Sequence, residues 1–172
     1  MTSEPTVARK SGGTEPIDSD IDLRSPAQRG ELPRTHGVVL AVIAAGGGLG
    51  AAARYGLAQL WPTAPGGFPW ATLAANMIGC FLIGMLMVAV TEMWVAHHLL
   101  RPFLGVGVLG GFTTFSTYAN DARALLQPGT VGIAFAYLAG TLVCALFATL
   151  AAVRLTRAGY ETIRRRAQEA AA

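Results

Sequence analysis

Charge is scarce in this sequence. Only 13% of its 172 residues are Asp, Glu, Lys or Arg, about half of what a soluble domain carries. Residues 37–153, a window of 117, contain five of them: Arg54, Glu92, Arg101, Asp121 and Arg123. The remaining eighteen sit in the two tails. A soluble domain of this size needs a charged surface on every helix, which excludes a soluble enzyme or regulator. Cysteine is scarce as well. Cys80 and Cys144 both lie inside apolar runs, so a disulfide scaffold is excluded. The 21 glycines follow no period of three, which excludes a collagen-like chain. The small basic excess, 13 Lys and Arg against 10 Asp and Glu, is concentrated in tails that flank apolar segments. Orientation in a bilayer explains that placement, and nucleic acid does not. What the chain has in abundance is apolar surface: 52% of residues are hydrophobic and the mean hydropathy is +0.45.

Residues 1–36 are polar, Pro-bearing and mixed in sign, the composition of a disordered tail. They lack the three regions of a signal peptide. Four apolar stretches follow, at 37–60, 70–90, 99–126 and 130–153. Each reaches the roughly 20 residues needed to cross a hydrocarbon core. The connections are short, and Trp61, Trp70 and Trp94 fall at their edges, where amphipathic rings settle at a membrane interface. Residues 154–172 form a basic tail, expected as a helix running on into the cytosol. With four spans, both tails and the loop between the second and third share one side. That side has nine arginines near the spans: Arg24, Arg29, Arg34, Arg101, Arg154, Arg157, Arg164, Arg165 and Arg166. The opposite side offers two at most, Arg123 and Arg54. The positive-inside rule then puts both termini in the cytoplasm of a cell that carries this multi-pass protein in its plasma membrane. The expected fold is an all-α integral membrane domain over 37–153. Four helices are too few to enclose a pore, so function implies association, with a dimer expected.

Four constellations bear on chemistry. AAGGGLGAAARYGL at 44–57 superficially resembles a dinucleotide-binding glycine motif, which wants an acidic residue about 20 positions on. The next acid is Glu92, so the glycines read instead as close helix packing, as in Gly46 and Gly50. Arg54, late in this span, either snorkels to the interface or presents charge to a vestibule. Asn76 lies about two turns inside the second span, where an unpaired amide is costly. It either glues two helices together or serves a site. The run GVGVLGGFTTFSTYAND at 105–121 is the strongest signal. Four glycines within seven residues and a cluster of hydroxyls make a poor lipid-facing helix. A broken span is tolerated only against protein or a hydrated cavity, and it points to an ion or substrate site. Its freed carbonyls suit a hard cation. If helix resumes after the break, Phe115 and Tyr118 share one face, with Thr113, Ser116 and Asn120 beside them. In the fourth span, Tyr137 needs a partner or water, whereas Thr141 is adequately served by bonding back to a helix carbonyl.

GGFTTFSTY in the third span, Asn76 in the second and GAAARYGL in the first resemble the Fluc/CrcB family of fluoride channels, over about residues 41–153. The resemblance implies a four-span protein with a broken third helix, forming an antiparallel dual-topology dimer that exports fluoride passively. It implies a structural sodium ion at the dimer centre, held by backbone carbonyls of Gly110 and Thr113. It aligns the family's paired pore phenylalanines with Phe115 and Tyr118, its pore asparagine with Asn76 and its vestibule arginine with Arg54. Its polar track falls on Ser116 and Thr117, and its fourth-span hydroxyls on Tyr137 and Thr141. The chain departs from the family at Tyr118, at Cys80 where Ser is common, and in its long N-terminal tail. Hydroxyl and amide donors suit fluoride, a small and strongly hydrated anion, and aromatic edges offer it a weakly positive rim. An antiparallel homodimer needs a chain with little charge bias. The nine-to-two bias therefore points to an oppositely oriented homologue as partner.

The alternative is a small four-span dual-topology multidrug-type transporter, which would need a central membrane carboxylate. Glu92 and Asp121 read as span-end residues. A membrane scaffold accounts for Gly46 and Gly50 but not for the Gly-Thr-Ser run. No carboxylate pair, metal-ligand cluster or nucleophile with its base marks an enzyme, and His97 and His98 read as interfacial.

Overall fold

The computed structural model describes residues 37–93 and 99–170. The expectations for the N-terminal tail, Trp94, His97 and His98 fall outside the described residues. Helix α1 spans Gly37–Leu60 and α2 spans Trp70–Val88, continued by a wide π-helical turn at Ala89–Met93. The third apolar stretch is divided. A π-helical segment α3 (Arg101–Leu109) passes into a short turn α4 (Gly110–Phe112), and α5 (Ser116–Leu125) follows after a gap. Helix α6 is one piece from Val131 to Ala170. At 1.5 Å per residue its 40 residues reach about 60 Å, twice a hydrocarbon core. The fourth apolar stretch and the basic tail are therefore a single rod.

Among the described residues every element is helical, and three helices are long and apolar enough to cross a membrane: Gly37–Leu60, Trp70–Met93 and Val131–Glu169. The third stretch does not qualify as one helix, because Thr113 adopts extended backbone (φ −76°, ψ 157°) and interrupts it. The position of this break differs from the sequence expectation. Helical backbone persists through Gly110 and Gly111 and stops only at the threonines.

The glycines serve a different end. A Cβ on Gly46 would lie 2.6 Å from the Phe103 carbonyl oxygen, and one on Gly107 would lie 2.9 Å from that of Ile43. A Cβ on Gly50 would collide with the Val108 carbonyl, and one on Gly111 with the Gly47 carbonyl. Small residues on both sides thus let the α1 backbone touch the α3–α4 backbone, the packing expected for Gly46 and Gly50 and here extended to their partners. The contacts climb both elements together, from Gly46 with Phe103 and Gly107 to Gly50 with Val108 and Phe112, so α1 and α3 run in the same direction. Helices α2 and α6 are paired in the same sense. The Thr149 hydroxyl donates to the Cys80 carbonyl (3.3 Å), and one turn on Gly84 lies against Ala152. Beyond the apolar segments, Arg157 forms a bidentate ion pair with Glu92 (2.5–3.1 Å), tying the end of α2 to the α6 extension.

Candidate functional site: a cleft at the broken helix

The break is held open by side chains that take over backbone bonds. In a continuous helix the Thr114 N–H would donate to Gly110. Here it donates to Asn76 Oδ1 (2.8 Å), and Asn76 Nδ2 donates to the Thr114 carbonyl (3.0 Å). One amide thus satisfies both peptide groups of Thr114 in a two-point clamp, leaving the second Asn76 N–H available. The same substitution recurs one turn later. The Thr117 N–H donates to the Thr114 hydroxyl (3.1 Å) rather than to the Thr113 carbonyl, which caps the start of α5. The Thr114 hydroxyl in turn donates to that of Thr117 (3.1 Å) and shares a bond with that of Ser116 (3.3 Å). The carbonyls of Gly110 and Thr113 therefore both lose their helical donors. They are hard, neutral oxygens on either side of an interruption, a donor set that fits a sodium-sized cation. Thr113 itself bonds back, its N–H and hydroxyl both donating to the Leu109 carbonyl (3.0 and 2.9 Å). Of the expected stripe, Ser116 and Asn120 lie one turn apart on α5, Asn120 accepting from Arg123 (3.4 Å), whereas Thr113 stands outside that helix on extended backbone.

Arg54 is half-buried, and its Nε donates to the Gly111 carbonyl (3.2 Å). Of the two sequence alternatives, snorkelling and vestibule charge, neither anticipated this contact. The guanidinium sits over the last carbonyls of α4, where a cation is electrostatically favoured.

Beside the break lies an open cleft of about 680 Å³, whose lining includes Asn76, Cys80, Thr113, Phe115, Tyr118 and Thr141. It brings α2, the break and α6 together. Phe115 is 79% exposed and lies 5.9 Å from the Tyr118 ring, so the two aromatics share a face as the spacing predicted. The Tyr118 hydroxyl donates to the Leu138 carbonyl of α6 (2.9 Å), so its proton is directed into the protein and its ring toward the cleft. Thr141 overturns its sequence expectation. It is only 6% exposed and its hydroxyl makes no hydrogen bond among the described residues, so it does not bond back to its own helix. A buried hydroxyl in that state is a donor awaiting a partner.

Tyr137 is fully buried, 5.2 Å from Tyr118 by ring centroid, and its hydroxyl is 3.4 Å from Asp121 Oδ2. Thr72 donates to the same carboxylate oxygen (2.7 Å). Sequence reasoning missed this trio. Asp121 stood near the end of an apolar stretch and Thr72 carried no motif. The available signal was the spacing of Thr72 and Asn76, one turn apart on one face of α2.

The chain matches the family described as CrcB-like protein, Camphor Resistance (CrcB), over residues 41–153. Among curated proteins it is 54% identical over 122 residues to a fluoride-specific ion channel, FluC 2, of Streptomyces avermitilis, covering 71% of this chain and 77% of that one. It is 55% identical over 124 residues to FluC 2 of Nocardia farcinica, covering 72% and 86%. FluC of Agrobacterium fabrum is 42% identical over 120 residues, covering 69% and 95%. All three carry the name fluoride-specific ion channel.

Proposed function

Because the chain belongs to the CrcB family, we propose that it is a fluoride-specific channel that lets the anion leave the cytoplasm passively through the cleft beside the broken helix. The observation that carries this is the buried, unpartnered hydroxyl of Thr141, a residue that lines the same cleft as Asn76. Fluoride surrenders its water only to donors that replace it. Thr141 and the spare Asn76 N–H supply two, with Ser116 and Thr117 adding hydroxyls at the mouth of α5. Phe115 and Tyr118 present aromatic edges, whose positive quadrupole attracts an anion without holding it fast. Entry and exit must both be easy, and weak multi-site contact meets that demand. Tyr137 borders this path through its contact with Tyr118. Arg54 supplies positive charge near the break and raises the local anion concentration. The established family leaves no catalytic step to assign: the relatives are named as channels, not enzymes.

In this reading α3, α4 and α5 together make the broken third of four spans, with α1, α2 and α6 the others. The shared direction of α1 with α3, and of α2 with α6, supports an alternating four-span path. One chain leaves the cleft open on one side, so the pore is completed by a second, antiparallel chain in a plasma membrane. The charge bias favours an oppositely oriented homologue as that chain, with an identical copy the alternative. The carbonyls of Gly110 and Thr113 would hold a structural sodium ion where the two chains meet. The test is fluoride efflux from liposomes reconstituted with this chain, alone and with a homologue, read by a fluoride electrode against a chloride control. Selective efflux from either sample is the expected result. A folded pair that moves no fluoride would rule the channel out and leave a scaffold.

A further inference from the structure

Phe68 belongs to the α1–α2 connection and lines none of the cleft described above, yet it touches the pore-side aromatics. Its ring meets that of Tyr137 edge-on, with centroids 5.4 Å apart and planes at 89°. This is the favourable geometry for an aromatic pair. On its far side it is backed by Trp70 at 4.5 Å, which stacks on Trp61 (6.4 Å, 12°). The backbone that carries Phe68 is fixed. The Trp70 N–H donates to the Phe68 carbonyl (2.9 Å) across Pro69, whose φ −79° and ψ 73° are those of an inverse γ-turn. Pro69 is buried and its ring locks φ, so Phe68 is delivered to one place.

Tyr137 needs such a neighbour. Its hydroxyl contact with Asp121, at 3.4 Å, is too long to set the angle of the ring. Thr72 already holds the same carboxylate oxygen at 2.7 Å. What constrains the Tyr137 ring is packing in a buried cluster with Ala122, Leu125 and Ala134, in which Tyr118 and Phe68 supply the ring contacts. We infer that Phe68 is a positioning residue for conduction: its edge contact fixes the Tyr137 ring, and through it the Tyr118 ring that borders the cleft. The inference rests on the channel reading and adds a determinant in the loop outside the pore.

The test is a double-mutant cycle on fluoride efflux from liposomes, with wild type as the control for the channel reading itself. Phe68→Leu is expected to slow efflux about three- to tenfold, the range of one aromatic pair, and to narrow the discrimination between fluoride and chloride. Phe68→Tyr keeps the ring and should stay within about twofold. In a Tyr137→Leu background, Phe68→Leu should add little, because the ring it positions is gone. Equal slowing in both backgrounds, or no slowing in either, would overturn the proposal. Failure of both Phe68→Leu and Phe68→Met to fold would do the same, by making the ring a stability element. A readout independent of transport is tyrosine ring NMR: Phe68→Leu should shift the Tyr137 signals, assigned by their loss in Tyr137→Phe, and leave those of Tyr55 and Tyr160 in place. Unmoved Tyr137 signals would sink the idea even if wild type conducts nothing.

Discussion

Asn76 and Thr141 separate two uses of a polar side chain inside an apolar bundle. Asn76 is committed to the fold, because it satisfies both peptide groups of Thr114. Replacing it by alanine leaves a donor and an acceptor unpaired, a cost of about 1–3 kcal/mol for each group. Asn76→Ala is therefore expected to lower the melting temperature in detergent and to abolish fluoride efflux together. The Thr141 hydroxyl is committed to nothing among the described residues. Thr141→Val keeps the shape and removes a hydroxyl that has no partner, so stability should hold or rise slightly. If the hydroxyl serves fluoride, efflux falls about tenfold or more, the worth of one hydrogen bond to a charged group. Stability and transport thus move together at residue 76 and apart at residue 141. A thermal melt and an electrode trace on each variant check both. Tyr118 is an intermediate case, since its hydroxyl is spent on the Leu138 carbonyl and only its ring faces the cleft.

At the scale of elements, the backbone contact between α1 and α3–α4 positions the break. The two faces of α1 differ along its glycine run. Gly50 lies against the Val108 carbonyl and Phe112 N–H, whereas a Cβ on Gly48 meets nothing within 4 Å. Gly50→Ala should force the helices apart and cost about 1–3 kcal/mol by overpacking. Gly48→Ala should be tolerated, and it gains roughly 0.5–1 kcal/mol from lost backbone freedom in the unfolded chain. Comparing the two melts separates the seam from glycine content as such. On the other flank, Gly79 lies against the Thr113 side chain. The residue that ends the third helix is thereby seated in a notch of α2, one turn beyond the Asn76 clamp. The break is thus held between α1 and α2 and is not a loose joint.

At the scale of the whole molecule, arginine placement and the long rod of α6 make a statement about orientation. The extension carries Arg154, Arg157, Arg164, Arg165 and Arg166 beyond the fourth apolar stretch. A C-terminal reporter that is active only in the cytoplasm should therefore be active, and one active only outside should be silent. The Gly110 and Thr113 carbonyls, stripped of their helical donors, add a second expectation at this scale. If the proposed pair is held by sodium at these carbonyls, exchanging sodium for a bulky organic cation should weaken association of its chains and slow efflux. A chain whose association and flux are indifferent to sodium would remove the ion from the account.

The sequence alone determined the solvent and the order of the chain. Segregating charge into tails leaves apolar segments that only a bilayer accommodates, and the run at 105–121 marks an interruption because hydroxyls and glycines cannot hold a lipid-facing helix. These are local properties, read from composition and spacing. Tertiary structure decided what the special residues do. The glycines pack against α1 instead of breaking the helix, the break waits for Thr113, and Asn76 and Thr114 exchange bonds across 38 positions of chain. Asp121 gathers Thr72 and Tyr137, and the Thr141 hydroxyl is left without a partner. Each depends on which side chain from a distant helix reaches a freed peptide group or carboxylate first, and residue spacing along one chain does not contain that competition.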